Sequence, residues 1–342
     1  FKGKVFYPYC GPLYGAQASH AFVRTCFDQN WAAALERYFP EQPTEADAQA
    51  YLDANLTAVV KDWATVDPDV VSKTLIVWGM FCGSNETLDI DPAVDYHAFL
   101  DLQFNTLAND PTFFGLYGLT SYLSAYSDEE TMRWIGRAYR HYCLEGRTDR
   151  MESGYELHHV QNPDFAEGLA GWQVQAAAPG SVSAGNVPKL SWLEGRYPPT
   201  SRGDTCLIMK RSDTAPNTVS QTVKGLEPGR VYSLKVLSAD CQDLVQQVSA
   251  RKDLGLTVSL KGGEIIPGPT FKQPFASCYA HVVGKFDAKA PAWFNLQNTV
   301  FRATKATAEL TITDWPEGKP GGPAGQEILC NFVQLQPYEL EK

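Results

Sequence analysis

No stretch of the 342 residues approaches the ~20 consecutive apolar positions that a membrane-crossing helix needs. No dense run of lysine and arginine stands out either, and a chain of net charge −10 is a poor holder of phosphate backbones, which argues against a nucleic-acid partner. Cysteines are present but never in a CxxC pair or at Cys/His metal spacing, so a zinc site has little support. There is no G-x-S-x-G nucleophile elbow, no phosphate-binding G-x-x-x-x-G-K-[ST] and no strand-linked G-x-G-x-x-G. Those absences remove most esterase, ATPase and dehydrogenase readings. What is present is 44% hydrophobic and 12% aromatic content, enough to fill real cores. At roughly 100–200 residues per domain the length suggests two of them.

The charge is unevenly placed. Residues 1–150 hold 11 basic and 20 acidic side chains, whereas 151–342 hold 18 and 19. Nearly all the acidity therefore belongs to the first half, as expected of two stitched units. Phe1 is not an initiator Met, and the chain reads as a strand from Lys4, so a removed leader or a larger precursor is expected. The eight cysteines admit two readings, disulfides in an oxidising compartment or buried free thiols.

Strands and helices alternate over the first half. Lys4–Tyr9 reads as a buried strand ending at Pro8 and the turn Cys10-Gly11-Pro12. A helix opens at Ser19, and a second opens at Thr44 with Leu52, Leu56, Val60 and Trp63 on one face. Lys73–Phe81 is a strand apolar on both faces, as in parallel sheets. Asp91-Pro92 starts a helix carrying Phe99, Leu102, Phe104 and Leu107, Phe113–Leu119 is a third strand, and Ser127-Asp128 caps a final helix through Leu144. Three such strands alone would leave open edges and an apolar inner surface that includes Tyr7, Phe114 and Tyr117. The unit is therefore expected to pack against a missing segment or another subunit.

Helical periodicity disappears after His158. Short alternating runs take over at Thr205–Lys210, Thr218–Val223, Val231–Ala239, Leu256–Leu260, Tyr279–Phe286, Ala308–Thr313 and Glu327–Leu335, separated by glycine- and proline-rich turns. Even spacing of short strands predicts an antiparallel sandwich. The expected fold class is thus α/β followed by all-β. A parallel-strand unit spans residues 1–155 and a β-sandwich spans 156–342.

Two resemblances sharpen this reading. The strand–helix order, with aromatic-rich strands ending at Tyr7/Tyr9, Trp78 and Tyr117, resembles the last three units of the (β/α)8 barrel of glycoside hydrolases. The five missing units would then lie upstream. The segment from Asn162 to Trp172, the passage Gly225-Leu226-Glu227-Pro228-Gly229 leading to Tyr232, and the closing run Glu327–Leu335 resemble carbohydrate-binding modules of the galactose-binding-like jelly-roll type. Together they imply the C-terminal part of a secreted glycoside hydrolase, extracellular or periplasmic, acting on a poly- or oligosaccharide. The alternative is a non-catalytic glycan-binding or assembly protein.

Glycoside hydrolysis needs paired carboxyl groups. The loop after the second strand contains Glu86, and the barrel resemblance would place it where many such enzymes keep the nucleophile; a solvated loop carboxylate is the plain alternative. Asp89, Asp91 and Asp128 read as helix-start residues. Flat aromatic faces suit stacking on sugar C–H groups. Tyr9, Trp78, Tyr117 and Tyr122 lie at or past strand ends of the first half, and Trp192, Trp293 and Trp315 lie in loops of the second. Trp134 and Trp172 read as core. Modules of this type often hold a structural calcium through a carboxylate just after the opening Phe and an Asp in the closing strand. Here those positions are Ala166 and Asn331, so no cofactor is expected, although Asp164 and Glu167 lie close by.

Overall fold

A computed structural model describes residues 5–7, 44–79, 91–122, 128–196, 201–277, 284–287 and 289–341. The chain divides into two compact units, Phe1–Ser84 with Val94–Glu156, and Asn85–Ala93 with Leu157–Lys342. Among the described residues no helix is long and apolar enough to cross a membrane.

In the first unit β1 (Val5–Tyr7), β2 (Thr74–Gly79) and β3 (Gly118–Tyr122) form one parallel sheet in that order. Thr44 caps α1 (Glu45–Leu52) by accepting from Asp47 N at 3.2 Å. A π turn at Asp53–Thr57 carries the helix on into α2 (Ala58–Val66), which ends at Asp67-Pro68. Leu52, Leu56 and Val60 are buried along it, as their spacing predicts. After β2 comes α3 (Tyr96–Asn109), and after β3 comes α4 (Glu129–Ala138), continued by a π turn to Leu144. Asp128 caps α4, accepting from Thr131 N at 2.7 Å, and Trp134 is fully buried, both as expected.

Two elements sit elsewhere than the sequence suggests. α3 starts four residues after the expected point because Asp91 closes its own turn onto Ala93 N, leaving Asp95 to accept from His97 N at 2.9 Å. The third strand begins at Gly118, not Phe113. Asp110 accepts from Thr112 N and winds Pro111–Phe113 into a single 3₁₀ turn, and Gly115 then takes a φ of +86°. Phe113 is consequently buried, while Phe114 and Tyr117 are 63% and 55% exposed.

The second unit is antiparallel in every strand pair described. One sheet has the order β10-β12-β8-β14-β6-β5, with β11 also on β12, and the other has the order β4-β7-β13-β9. The larger sheet comprises β5 (Val182–Asn186), β6 (Thr205–Lys210), β8 (Val231–Asp240), β10 (Gly263–Ile265), β11 (Phe271–Ala276), β12 (Trp293–Ala303) and β14 (Glu327–Pro337). The smaller comprises β4 (Gln173–Gln175), β7 (Thr218–Val223), β9 (Thr257–Lys261) and β13 (Ala308–Thr313). Between them lies a core built on Phe165, Trp172, Leu234, Phe301 and Leu310. A second cluster covers the other face of the larger sheet. It joins Leu237, Phe294 and Phe332 to Leu190 and Leu193 of α5 (Leu190–Glu194) and Leu244 of α6 (Cys241–Gln246). Of the cysteines described, Cys206, Cys241 and Cys330 are buried free thiols and Cys143 is an exposed one.

The sandwich corrects two further expectations. β12 is absent from the strand reading, because Asn295, Gln297 and Asn298 interrupt its apolar pattern. All three are buried and all three serve loop backbone, Asn298 by donating to Pro269 O at 3.1 Å. Asn295 donates to Lys252 O at 2.8 Å and accepts from Leu254 N, and Gln297 donates to Leu256 O at 2.8 Å. Of the expected strand Tyr279–Phe286, residues 279–283 fall outside the described set, and 284–286 are turn and coil with Phe286 packed into the second cluster. β11 takes a place beside β12, its Pro274 tolerated because among the described residues the strand has no second partner.

Candidate functional site

Pairing registers bring many strand ends of the sandwich to one pole. Thr313 lies opposite both Thr218 and Thr257, Glu327 opposite Lys210, Ile328 opposite Asp240, and Ala276 opposite Trp293. The connections after β6, β8, β11 and β13 therefore gather there, and with them Trp293 and Trp315. Both rings are half-buried. Trp315 donates its Nε1–H to Ser212 O at 3.0 Å. Trp293 donates its backbone N–H to Ser249 Oγ at 2.8 Å, and the Arg251 guanidinium lies 5.6 Å from its ring centroid.

Arg211, one residue past β6, ties this pole together. Its Nε donates to Gln326 Oε1 at 2.9 Å, its Nη2 to Gly255 O at 2.9 Å, and its Nη1 to Asp314 O. Gln326 donates onward to Asp240 Oδ2 at 3.0 Å, and Lys252 Nζ bridges Asp240 at 2.9 Å and Asp243 at 2.6 Å. Beneath them Asp314 accepts from Asn217 N and Nδ2, both at 2.8 Å, with Asn217 and Asp314 fully buried. Burial pulls the Arg211 guanidinium below its ordinary value against the opposing pull of Asp314 and Asp240. Burial would raise Asp240, but hydrogen bonds from Lys252 and Gln326 leave it below the usual carboxylate range. Every charge in this set is committed to a loop contact, so the arrangement presents rigid aromatic faces rather than an acid–base pair.

The other expected site residues are dispersed. Trp192 lies on α5, half-buried against the second cluster. Tyr117 stands exposed before β3. Trp78 and Tyr122 lie on β2 and β3. Tyr9 and Glu86 fall outside the described residues. Of the tryptophans expected in loops only Trp315 is in one, since Trp192 lies within α5 and Trp293 opens β12; Arg211 carried no signal, since its partners are up to 115 positions away.

The calcium-type position is filled by the protein itself. Arg196, fully buried, donates from Nη1 and Nη2 to both oxygens of Asp164 at 2.6 and 2.7 Å and from Nε to Glu194 Oε2 at 2.7 Å. A register shift between Asn331 and Gln334 in β14 gives Phe332 a φ of +54°, lets its N–H reach Asp164 Oδ1 at 3.2 Å, and sets its ring 4.7 Å from the Arg196 guanidinium carbon. Asn331 donates to Gly203 O and Thr205 O. Burial, with repulsion from Asp164 and Asp204, pushes Glu194 up to about 8 against the pull of Arg196. Calcium needs six to eight oxygens. Here only Glu194 Oε1 and Asn331 Oδ1 lack a partner, and no cluster of metal-ligating side chains exists among the described residues. The donor set does not fit calcium.

No family model matches the chain, and no curated protein matches it. Among solved structures, TmCBM61 in complex with beta-1,4-galactotriose aligns with TM-score 0.29 and 14% identity over 52% of this chain and 97% of its own. The enzymatically active domain of bacteriophage CBA120 tailspike protein 4 aligns with TM-score 0.32 and 11% identity over 78% of this chain, which spans 33% of that protein. A putative sugar binding protein from Bacteroides thetaiotaomicron VPI-5482 aligns with TM-score 0.28 and 8% identity over 52% of this chain and 99% of its own. At these TM-scores none of the three bears on what this chain does.

Proposed function

We propose that the sandwich binds a poly- or oligosaccharide at the pole that carries Trp293 and Trp315. The observation behind this reading is that two half-exposed indoles leave neighbouring strand ends and are each held by a partner, Arg251 and Ser212, on loops knitted by Arg211. Pre-ordered aromatic faces lose little conformational freedom on binding, which suits the shallow apolar contact that a sugar ring offers. On the sequence resemblance, this module belongs to a secreted glycoside hydrolase whose barrel ends in the β1-β2-β3 unit, with Glu86 supplying a carboxylate. The exposed Phe114 and Tyr117 support a partner on that unit, whether the remaining barrel or another subunit.

A glycan array followed by titration calorimetry on the positive ligands tests the binding reading. Trp293→Ala and Trp315→Ala should each weaken binding about tenfold or more, the loss of one stacking face. Unchanged affinity in both variants would reject this pole. The enzymatic reading is tested by release of reducing ends from the bound polysaccharide, which Glu86→Gln should abolish.

A further inference from the structure

Buried charge does not balance around Arg196. One guanidinium meets two carboxyl groups, Asp164 and Glu194, and none of the three side chains is more than 6% exposed. The hydrogen-bond donors are shared unequally between the two acids. Asp164 accepts from three N–H groups, Arg196 Nη1 and Nη2 and the backbone of Phe332. Glu194 accepts from Arg196 Nε alone among the described residues, at 2.7 Å, and its Oε1 is buried with no donor. Three donors hold a carboxylate ionised, whereas a single one does not offset the cost of a second anion in a dry site. The surroundings add to the excess. The turn before β6 supplies Asp204, which repels Glu194, and Arg202, which lies 3.9 Å from Asp91; Asp91 in turn faces Asp164 and Arg196. β6 and β14 contribute Cys206 and Cys330, thiols that burial keeps neutral, and Lys189 at the head of α5 is exposed. Two guanidinium groups thus stand among four carboxyl groups.

A proton on Glu194 Oε1 resolves the imbalance. Oε2 still accepts from Arg196, and Oε1 becomes a donor in a cluster whose other orphaned oxygen, Asn331 Oδ1, is an acceptor. Glu194 also closes α5, where the carbonyl end of the helix disfavours a negative charge. What it closes is a short element with little hold of its own. α5 has five residues between two left-handed positions, Lys189 at φ +63° and Gly195 at φ +80°. Asp204 accepts from Lys189 N at 2.9 Å and Ser191 N at 3.3 Å at one end, and Leu190 and Leu193 reach the second cluster. At the other end the buried side chain of Glu194 completes the seat.

We propose that α5 is a proton-operated latch: Glu194 seats as the neutral acid with its proton on Oε1, and loss of that proton to solvent unseats the helix from the second cluster. Ionisation would leave a second buried anion with one donor, and exposure of the side chain relieves it by lifting α5, with Leu190 and Leu193, off the sheet. The sign follows from linkage. A carboxyl whose pKa rises on folding favours the folded state fully below its ordinary value of 4.5, and that favour is lost as pH climbs through about 8. Neither Trp293 nor Trp315 takes part, so the latch does not depend on the glycan-binding reading.

The test follows the full chain from neutral to alkaline pH by infrared difference spectroscopy and by tryptophan fluorescence. At neutral pH the parent should show the C=O band of an un-ionised carboxylic acid that Glu194→Gln lacks and Asp91→Asn keeps. That band should vanish as pH passes about 8. Over the same range the emission of Trp192, which lies on α5 against the second cluster, should shift to the red. Subtracting the spectrum of Trp192→Phe removes the other indoles. In Glu194→Gln the emission should stay fixed, because the amide keeps the acceptor for Arg196 and offers an N–H in place of the O–H. This variant should melt at or above the parent temperature at neutral pH. A parent without the difference band at neutral pH overturns the proposal. So does a Glu194→Gln variant that melts well below the parent there, the mark of a lost ion pair. A band that titrates while the Trp192 emission stays fixed overturns the latch.

Discussion

His97 shows how one buried side chain ties stability to pH. It stacks on Trp134 at 5.4 Å, its Nε2 lies 3.0 Å from Glu130 Oε2, and both partners of this pair are buried. Burial alone would lower its pKa, but Glu130, with help from Asp95, carries it up to about 9. A histidine whose pKa rises on folding contributes fully below its unfolded value of about 6.5 and loses that contribution as pH climbs toward 9. The melting temperature of the wild type should therefore fall between pH 6.5 and 9, and the fall should be much reduced in His97→Gln. The contribution at stake is on the order of 3 kcal/mol. Arg196 makes the opposite kind of demand, since without it Asp164 and Glu194 remain buried and uncompensated. Arg196→Met should cost about 3–5 kcal/mol, whereas EDTA or added calcium should not move the melting temperature of the parent. Neither residue announced itself in the sequence. Apart from Glu194, the partners of Arg196 are 32 positions away in Asp164 and 136 away in Phe332, and only the folded sheet brings them together.

Local chemistry made many elements readable. β6, β7 and β13 have the expected bounds because each is a short run between clear turns, with β13 alternating apolar and polar residues and β6 carrying a compact apolar stretch, Cys206–Met209. α4 starts where its Asp cap stands. Elements whose interior positions are polar for a tertiary reason escaped, β12 above all, where buried amides hold the 252–256 loop. The same loop shows a constraint that composition hides. A Cβ at Gly255 would stand 2.4 Å from Gly321 Cα and from Gly321 O, backbone against backbone. Gly255→Ala should force the two loops apart at a cost of about 1–3 kcal/mol and loosen the Arg211 contact to Gly255 O. Thermal melting checks the first effect. Weaker glycan binding with intact tryptophans checks the second.

At the scale of the whole molecule, the change of character after residue 157 is plain in the sequence, because helical periodicity gives way to alternation there. Less visible is that Asp91–Ala93 groups with the sandwich, so that Val94–Glu156 interrupts it in sequence. Strand order has a further consequence, for synthesis. β14 comes last of the described strands, yet it lies between β8 and β6 and is buried on both faces. Its Cys330 lies opposite Ser238, about 90 positions earlier in the chain. At ribosomal rates of ~5–20 residues per second, β8 waits about 5–20 s for this partner, longer than most hairpins need to form. Until then β8 and β6 present the free edges on which chains pair wrongly. The sandwich is thus a late-closing fold that needs shelter while its last strand is still being made. A chain stopped at Gln326 should emerge as aggregate, and supplying residues 327–342 as a separate peptide during refolding should recover soluble protein.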